Sequence, residues 1–290
     1  MANTELLDVN AQVKMFWADV FMPELRESNP FIALVDKRYE GAIAKAGDTV
    51  RVSQIAKATG ELKTIGTAGD NTFTPEKIVT QYVDIKADKR AIASYKMEDL
   101  VELQSQITSE KSEIRQSLLD AISTQINGHL YAQVAPIAGH VLTGVSAFDN
   151  SVMKQARVLA GKAKWLKSPA WYCCLTSGYY GDLMDGMMQV SSDVVNDQPT
   201  IGGEIVSKRY GFSVLEDNSQ GLEDVAPLGD EAGVLFHPAF MHLVTQQAPR
   251  FKVSDLHSNE EFGYLISVDV VFGCKQSIEG AKQVITVINT

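Results

Sequence analysis

The chain has 290 residues, of which 45% are hydrophobic and 21% are charged, and these proportions exclude a mostly disordered chain. Thirty-six acidic residues against 26 basic ones give a net charge of -10. This balance argues against a dedicated nucleic-acid-binding domain, because affinity for phosphates comes mainly from Lys and Arg. We interpret the local basic cluster of Lys162, Lys164 and Lys167 as a solvated face or a protein contact.

The cysteines and the N-terminus indicate the compartment. Three cysteines are too few for a disulfide framework, and no C-x-x-C motif is present. Because Cys173, Cys174 and Cys274 lie in apolar segments, we expect buried thiols in a reducing compartment. The first ten residues, MANTELLDVN, lack the features of a signal peptide, and no stretch approaches 18 consecutive apolar residues. We therefore expect a soluble protein that is made in a cytosol.

Residues 1–45 are predicted to form an N-terminal arm. The aromatic residues Phe16, Trp17 and Phe21 recur at helical spacing before Pro23 interrupts the pattern. A large apolar face this near to a free end needs to be buried. Either the core of this chain or a neighbouring molecule would cover it.

Residues 46–93 are predicted to form a long β-hairpin. Thr49–Ile55 alternates as a strand, and a loop rich in Gly, Thr and Lys follows. Lys77–Ala93 alternates again and would span roughly 50 Å as one strand. An isolated two-stranded ribbon is marginally stable in water, so we expect it to lie on its own body or on a second subunit. The candidate interface residues in the arm and the loop are Phe16, Trp17, Phe21, Lys57, Gly60, Glu61, Lys63, Asp70, Asn71 and Phe73.

The rest of the chain alternates between helical and strand patterns. Ser94 is a plausible N-cap for a short helix, and residues 106–134 repeat at helical spacing until Pro136 stops them. Residues 137–235 resemble an α/β unit, and residues 234–290 are mostly β. The predicted elements in these two regions are a helix over 152–160, a strand over 170–175, a helix over 179–188, and strands over 211–215, 262–272 and 284–288. Asp149, Asn150 or Ser151 is the predicted N-cap of the first of these helices.

A search for catalytic motifs finds none that is complete. Gly161-Lys162 lacks the upstream glycine and the following hydroxyl residue of a phosphate-binding loop, and no G-x-S-x-G elbow occurs. The five histidines show no metal-ligand spacing. Asp182 and Asp185 lie three residues apart near two tyrosines, but acidic pairs on exposed helix faces are much commoner than catalytic ones. These observations predict a structural or binding role without catalytic residues, metal or cofactor.

The order of the predicted pieces resembles the major capsid proteins of tailed bacteriophages, which have the Hong Kong 97-type fold. The resemblance extends from about Trp17 to Val287. The stretches that carry it are Ala46–Val52, Ser168–Tyr172 with the following Leu175 and Tyr179–Leu183, Gly202–Ile205 with Tyr210–Val214, and Val234–His237 with Ala239.

The resemblance implies an α+β fold with five regions. These are an N-terminal arm (1–45), an extended loop (46–93), the spine helix of a peripheral domain (94–136), an axial domain (137–235) and peripheral-domain strands (236–290). It implies self-assembly into hexamers and pentamers of an icosahedral shell that encloses double-stranded DNA. It also implies a separate scaffolding protein, a portal, non-specific contact with the packaged DNA, no membrane, and a place in the virion after synthesis in the bacterial cytoplasm.

Two alternatives stay open at this stage. An encapsulin-type nanocompartment shell shares the fold, and it would enclose a cargo enzyme rather than a genome. A soluble α/β enzyme would be a monomer or dimer with a deep pocket that holds Asp182, Asp185 or His237.

Overall fold

The computed structural model describes residues 29–39, 49–69, 71–98, 111–168, 170–191, 208–226, 230–255 and 263–289. The α-helices are α1 (Phe31–Leu34), α2 (Lys111–Ala132), α3 (Asn150–Lys162), α4 (Ser177–Ser191) and α5 (Gln220–Glu223). The strands are β1 (Thr49–Ile55), β2 (Thr80–Lys86), β3 (Lys89–Glu98), β4 (Val141–Leu142), β5 (Trp171–Leu175), β6 (Lys208–Arg209), β7 (Phe212–Glu216), β8 (Ala232–Phe236), β9 (Met241–Asp255), β10 (Gly263–Gln276) and β11 (Val284–Ile288).

The strands form three sheets. β1 and β2 pair as an antiparallel ribbon, so the predicted hairpin is present. β3, β10 and β9 form an antiparallel sheet in that order. The third sheet is mixed and has the order β4-β11-β8-β5-β7-β6. Helices accompany the two larger sheets, so the expected α+β class is confirmed.

The buried side chains form two large clusters. The first contains Leu118 and Ile122 of α2 together with Val268 and Phe272 of the three-stranded sheet. The second contains Met153 of α3 and residues of the six-stranded sheet. Strand β5 contributes to both, because adjacent strand residues point to opposite faces: Cys174 belongs to the first cluster and Cys173 to the second. The prediction of buried thiols is confirmed for these two cysteines, whereas Cys274 is only partly buried.

Helix α3 shows how the local sequence fixes an element. The Asp149 side chain accepts hydrogen bonds from the backbone N–H groups of Ser151, at 2.9 Å, and Val152, at 3.0 Å. This is an N-cap, which satisfies donors that have no partner within the helix. The predicted helix therefore exists, and it begins at the residue after one of the predicted caps.

Three predictions of local structure are wrong. Residues 94–98 do not begin a helix, because Ser94 pairs with Ser267 and Glu98 with Gly263 in the ladder between β3 and β10. The strand predicted over 77–93 is divided between β2 and β3, which pair with different partners. β11 does not accompany the other strands of residues 236–290; it pairs with β8 and β4, so residues 284–288 belong to the sheet of the 137–235 region.

Gly273 explains the division between β2 and β3. A Cβ atom at this position would overlap with the Lys86 carbonyl oxygen and would lie 2.9 Å from the Ala87 Cα atom. The chain therefore crosses directly over β10 where β2 ends. β2 pairs with β1, and β3 pairs with β10. One continuous flat strand through this point could not form both pairings.

Helix α2 continues through Gly128 without a break. Gly221 of α5 approaches it closely at this point: a Cβ atom at Gly221 would lie only 2.8 Å from the Gly128 Cα atom. Beside this contact Tyr131 donates a hydrogen bond of 2.5 Å to the buried Asp217 carboxylate. Desolvation by burial raises the pKa of Asp217, against the opposing effect of hydrogen bonds from Ser219 and Tyr131.

The two facing glycines give a matched pair of variants. We expect Gly221→Ala to lower the free energy of unfolding by about 1–3 kcal/mol, because the new methyl group meets backbone that cannot rotate away. Gly128→Ala adds the same group where no atom outside the helix backbone lies within 4 Å. It should stabilise the protein by up to about 1 kcal/mol through helix propensity. Chemical denaturation measures both, and a destabilised Gly128→Ala would contradict this geometry.

Candidate assembly surfaces

The base of the ribbon is anchored on the body. Ile85 of β2 and Val244 of β9 are both fully buried and form the centre of a small apolar cluster. Val50, Val52 and Val83 pack against this pair. At its base the ribbon therefore lies on the chain's own body, which is one of the two supports expected from the sequence.

Charged groups next to this anchor position the segment that leads to the ribbon. His242 Nδ1 lies 3.2 Å from Asp36 Oδ2, and Arg38 donates to the same carboxylate at 2.7 Å. Burial acts to raise the pKa of Asp36, but the hydrogen bonds from Arg38 outweigh it and the net pKa is lowered. Desolvation lowers the pKa of His242. The Asp36 carboxylate is thus ionised and neutralised mainly by Arg38.

The middle of the ribbon is braced across its strands. Arg51 of β1 donates to both oxygens of Asp84 of β2, at 2.7 Å and 2.9 Å. The guanidinium carbon also lies 4.3 Å from the ring centroid of Tyr82. Two parallel hydrogen bonds and a cation–π contact fix the relative position of the strands in a region that has little core of its own.

The ribbon tip, residues 56–79, exposes apolar side chains to an unusual degree. Leu62 is fully exposed, and Ile65, Phe73 and Ile78 are 94%, 80% and 79% exposed. Isolated surface apolar residues are normal, but a concentration on one projection marks an interaction surface. Of these four residues the sequence indicated only Phe73.

Local contacts nevertheless shape the tip. Lys63 Nζ lies 3.2 Å from the Gly69 carbonyl oxygen and contacts the Thr72 carbonyl oxygen, while Glu61 lies 3.5 Å away as an ion-pair partner. Gly69 adopts φ 85°, the left-handed region that favours glycine. Lys63 and Glu61 therefore order the loop. Lys57, Gly60 and Asn71 are exposed at its surface.

Four of the candidate interface residues, Phe16, Trp17, Phe21 and Asp70, lie outside the described residues. Their place at an interface stays a prediction, as it does for the residues of the tip. Leu62 and Ile65 could have been found from the sequence, because each is a large apolar residue within a loop otherwise rich in Gly, Thr and Lys.

An ion cluster spans the three-stranded sheet on the face away from α2. Asp269 of β10 accepts from Arg90 of β3 at 2.6 Å and from Arg250 of β9 at 2.7 Å. The Asp269 side chain is only 8% exposed. Hydrogen bonds from Arg250 and Arg90 lower its pKa to about 2. The cluster therefore ties all three strands together through one carboxylate.

This cluster predicts an acid-sensitive part of the stability. Because the folded-state pKa of Asp269 is below the ordinary value of 3.8, its contribution is complete above about pH 4 and is lost as the pH falls towards 2. We expect Asp269→Asn to reduce the free energy of unfolding at neutral pH by about 1.5–3 kcal/mol. Urea titrations at several pH values should show this difference shrinking below pH 4. A difference that stays constant down to pH 2 would contradict the assignment.

Asp182 and His237, two of the residues considered for an enzyme, have separate local partners. Asp182 accepts a hydrogen bond of 3.1 Å from the Phe148 backbone N–H, and His237 Nδ1 lies 3.2 Å from the Ala239 backbone N–H, which it caps. Both contacts stabilise the fold locally. The side chain of Asp185 lies outside the described residues.

Among the described residues no group of three or more His, Cys, Asp or Glu side chains is arranged to hold a metal ion. In the same part of the chain no helix has the length and apolarity to cross a membrane.

Comparison with known proteins finds similarity at the level of structure. No protein-family model and no curated sequence matches. A chain in a structure of Mycobacterium phage Che8 is 20% identical with a TM-score of 0.75, and the match covers 95% of this chain and 96% of that one. A chain in the capsid structure of cyanophage P-SCSP1u is 13% identical with a TM-score of 0.73, over 99% and 96%. A chain in the cyanophage Pam1 capsid asymmetric unit is 13% identical with a TM-score of 0.67, over 99% and 98%. This chain therefore has a fold that occurs in phage capsids.

Proposed function

We propose that this chain is the major capsid protein of a tailed bacteriophage with the Hong Kong 97-type fold. Copies of it assemble into hexamers and pentamers of an icosahedral shell around double-stranded DNA. The observation that carries this proposal is the match to capsid-structure chains over almost the whole of both chains. Self-assembly is the activity that such a fold supports.

The five regions read from the sequence are kept in this proposal, with two changes. They are the arm (1–45), the extended loop (46–93), the spine helix (94–136), the axial domain (137–235) and the peripheral strands (236–290), except that residues 284–288 complete the axial sheet and residues 89–98 form strand β3, which pairs with β10 of the peripheral strands. α2 is the described part of the spine helix. The ribbon is the described part of the extended loop.

The exposed tip supports the proposal on physical grounds. Its apolar side chains gain stabilisation of about 25 cal/mol per Å² only when another surface covers them. The base of the ribbon is anchored while its tip extends away from the core, so a neighbouring copy is the natural cover. Such a reaching element suits a shell built from one chain, since each copy contacts its neighbours through repeated interfaces.

Further partners follow from the same role. A separate scaffolding protein and a portal direct assembly, and the packaged DNA is contacted without sequence preference. The protein is made in the bacterial cytoplasm and ends in the virion.

Electron microscopy of the expressed protein tests the proposal. We expect rings, shells or co-assemblies with a scaffolding protein, and nucleic acid inside shells produced during infection. A chain that stays monomeric under all conditions, with a scaffolding protein present, would contradict it. Shells that enclose a cargo enzyme instead of a genome would indicate the nanocompartment alternative.

A further inference from the structure

Two clefts of opposite charge lie at opposite ends of the six-stranded sheet. Residues 162–166 precede β5 and residues 277–283 precede β11, and the Trp165 indole N–H donates to the Lys282 carbonyl at 2.6 Å, so these segments share one end. Thr176 follows β5 and its N–H donates to the Ala232 carbonyl at 3.1 Å, so the segments around 176–178 and 230–231 share the other end. A five-residue strand separates the two ends by roughly 17 Å.

The first of these, the basic cleft, lies between the ribbon and the body and has a volume of about 860 Å³. Five basic residues and one acidic residue, Glu279, line it. Arg38 is paired with Asp36, and Lys282 lies 3.4 Å from Glu279. Lys57, Lys162 and Lys164 have no ion-pair partner among the described residues. Apolar Ile55 on the ribbon, 66% exposed, and Leu166 on the body, 63% exposed, also border the cleft.

The backbone at Lys164 is an independent sign that this side chain has a role. α3 ends with hydrogen bonds from the Trp165 N–H to the Ala160 carbonyl and from the Lys164 N–H to the Gly161 carbonyl. These two bonds define a Schellman motif, in which glycine usually occupies the left-handed position. Here that position is Lys164, with φ 59°. A lysine is strained there, and the motif by itself gives no reason to prefer it to glycine.

The second cleft, the acidic pocket, has a volume of about 510 Å³ at the other end of the sheet. Its acidic residues are Glu223, Asp224, Asp230 and Glu231, and no Lys or Arg is among the described residues that line it. Glu223 and Asp224 are exposed. Although the net charge of the chain is -10, one copy thus presents a basic cleft at one end of the six-stranded sheet and an acidic pocket with an exposed rim at the other end.

We propose that the basic cleft of one copy receives the acidic pocket rim of a second copy. Lys162 and Lys164 on the body and Lys57 on the ribbon face Glu223 and Asp224 of the neighbour. The contact joins opposite edges of the subunit, so it is head-to-tail, which is the type of contact from which rings are built when the rotation between copies closes. This inference rests on the proposed function and names the charged surfaces that set the order of subunits within a capsomer. Complementary charge selects the partner surface and disfavours wrong pairings.

Charge-reversed full-length chains test this pairing. The cleft variant carries Lys162→Glu and Lys164→Glu, and the pocket variant carries Glu223→Lys and Asp224→Lys. Sedimentation velocity at low salt should show association of each variant alone reduced by about tenfold or more, because like charges then face each other. A 1:1 mixture of the two should recover association, since the acidic cleft of one meets the basic rim of the other.

A control variant carries Lys154→Glu and Lys208→Glu, two exposed lysines outside the basic cleft. Each Lys→Glu change lowers the net charge by two, so the control and the cleft variant both have a net charge of -14. The control should associate like the wild type, because its basic cleft and its acidic rim are both intact. Lys164→Gly should melt at an equal or higher temperature than the wild type while associating less well.

The outcomes separate the two proposals. If the reversed variants associate like the wild type, or if mixing them restores nothing, the charge pairing is wrong while the capsid role stands on wild-type assembly. If the wild type itself never associates, alone or with a scaffolding protein, the capsid role fails. Melting curves that match the wild type confirm that each variant is folded.

Discussion

Deleting residues 57–74 from the ribbon tip is expected to leave a folded subunit that forms no shells. The Ala56 N–H donates to the Val79 carbonyl at 2.9 Å, so Pro75–Ile78 remain as a four-residue loop of ordinary hairpin length. The removed segment is exposed, and its side chains bond chiefly to each other. The melting temperature should stay within about 2 °C of the wild type, which is about the shift that 1 kcal/mol produces in a domain of this size.

Calorimetry and electron microscopy of the same preparation check both halves of this expectation. A point variant, Phe73→Ser, supplies a milder version, since it removes one exposed apolar side chain and leaves the loop length unchanged. A collapse of the melting temperature in the deletion variant would show that the loop belongs to the core of the body. Shells formed by the deletion variant would show that the tip is not an assembly contact.

Replacing Phe272 with Asp is expected to unfold the subunit. Phe272 is buried in the first core cluster, and the His129 ring contacts it at an interplanar angle of 75° with centroids 5.7 Å apart. The change removes the packing of an aromatic ring, worth about 3–5 kcal/mol, and leaves an unpaired charge in an apolar site. The total is comparable to the whole stability of many proteins. Circular dichroism and solubility after expression measure the effect.

The neighbouring residue supplies the control for this variant. Val271 points to the opposite face of β10, is only partly buried, and lies directly across from Arg90. Val271→Asp therefore places the same charge beside a cation, and it should cost far less stability than Phe272→Asp. Phe272→Leu, which keeps an apolar side chain, should remain folded. Equal damage from Phe272→Asp and Val271→Asp would mean that the assigned faces of β10 are wrong.

Local patterns in the sequence predicted several elements well. The alternation over 262–272 predicted β10, the apolar run 284–288 coincides with β11, and Asp149 was one of three candidate caps for α3. In each case the signal lies within a few residues: a period of two for strands, or a capping side chain next to the first turn. The ribbon was also predictable, because two alternating segments flank a loop rich in glycine and threonine.

The predictions that failed depended on distant partners. Residues 94–98 form a strand because β10 extends to Gly263 and pairs with each of them. No pattern within residues 94–98 indicates this pairing. The division of 77–93 depends on the crossing over Gly273, nearly two hundred residues away in the chain. The ion pairs of Asp269 also depend on distant partners. Asp269 appears as one polar residue in an alternating strand, and only the pairing of β3 and β9 with β10 surrounds it with Arg90 and Arg250.

Patterns within the sequence were enough to predict helices and strands in an order that resembles a shell protein, a hairpin with a loop rich in glycine and threonine, and no complete catalytic motif. Which surfaces are available to a neighbour became visible only once the chain was folded. The tertiary structure exposes Leu62 and Ile65 at the tip, and it places Lys162 and Glu223 in clefts at opposite ends of one sheet. The physical reason is that alternation and capping act over a few residues, whereas exposure and charge complementarity depend on strand pairing between distant segments.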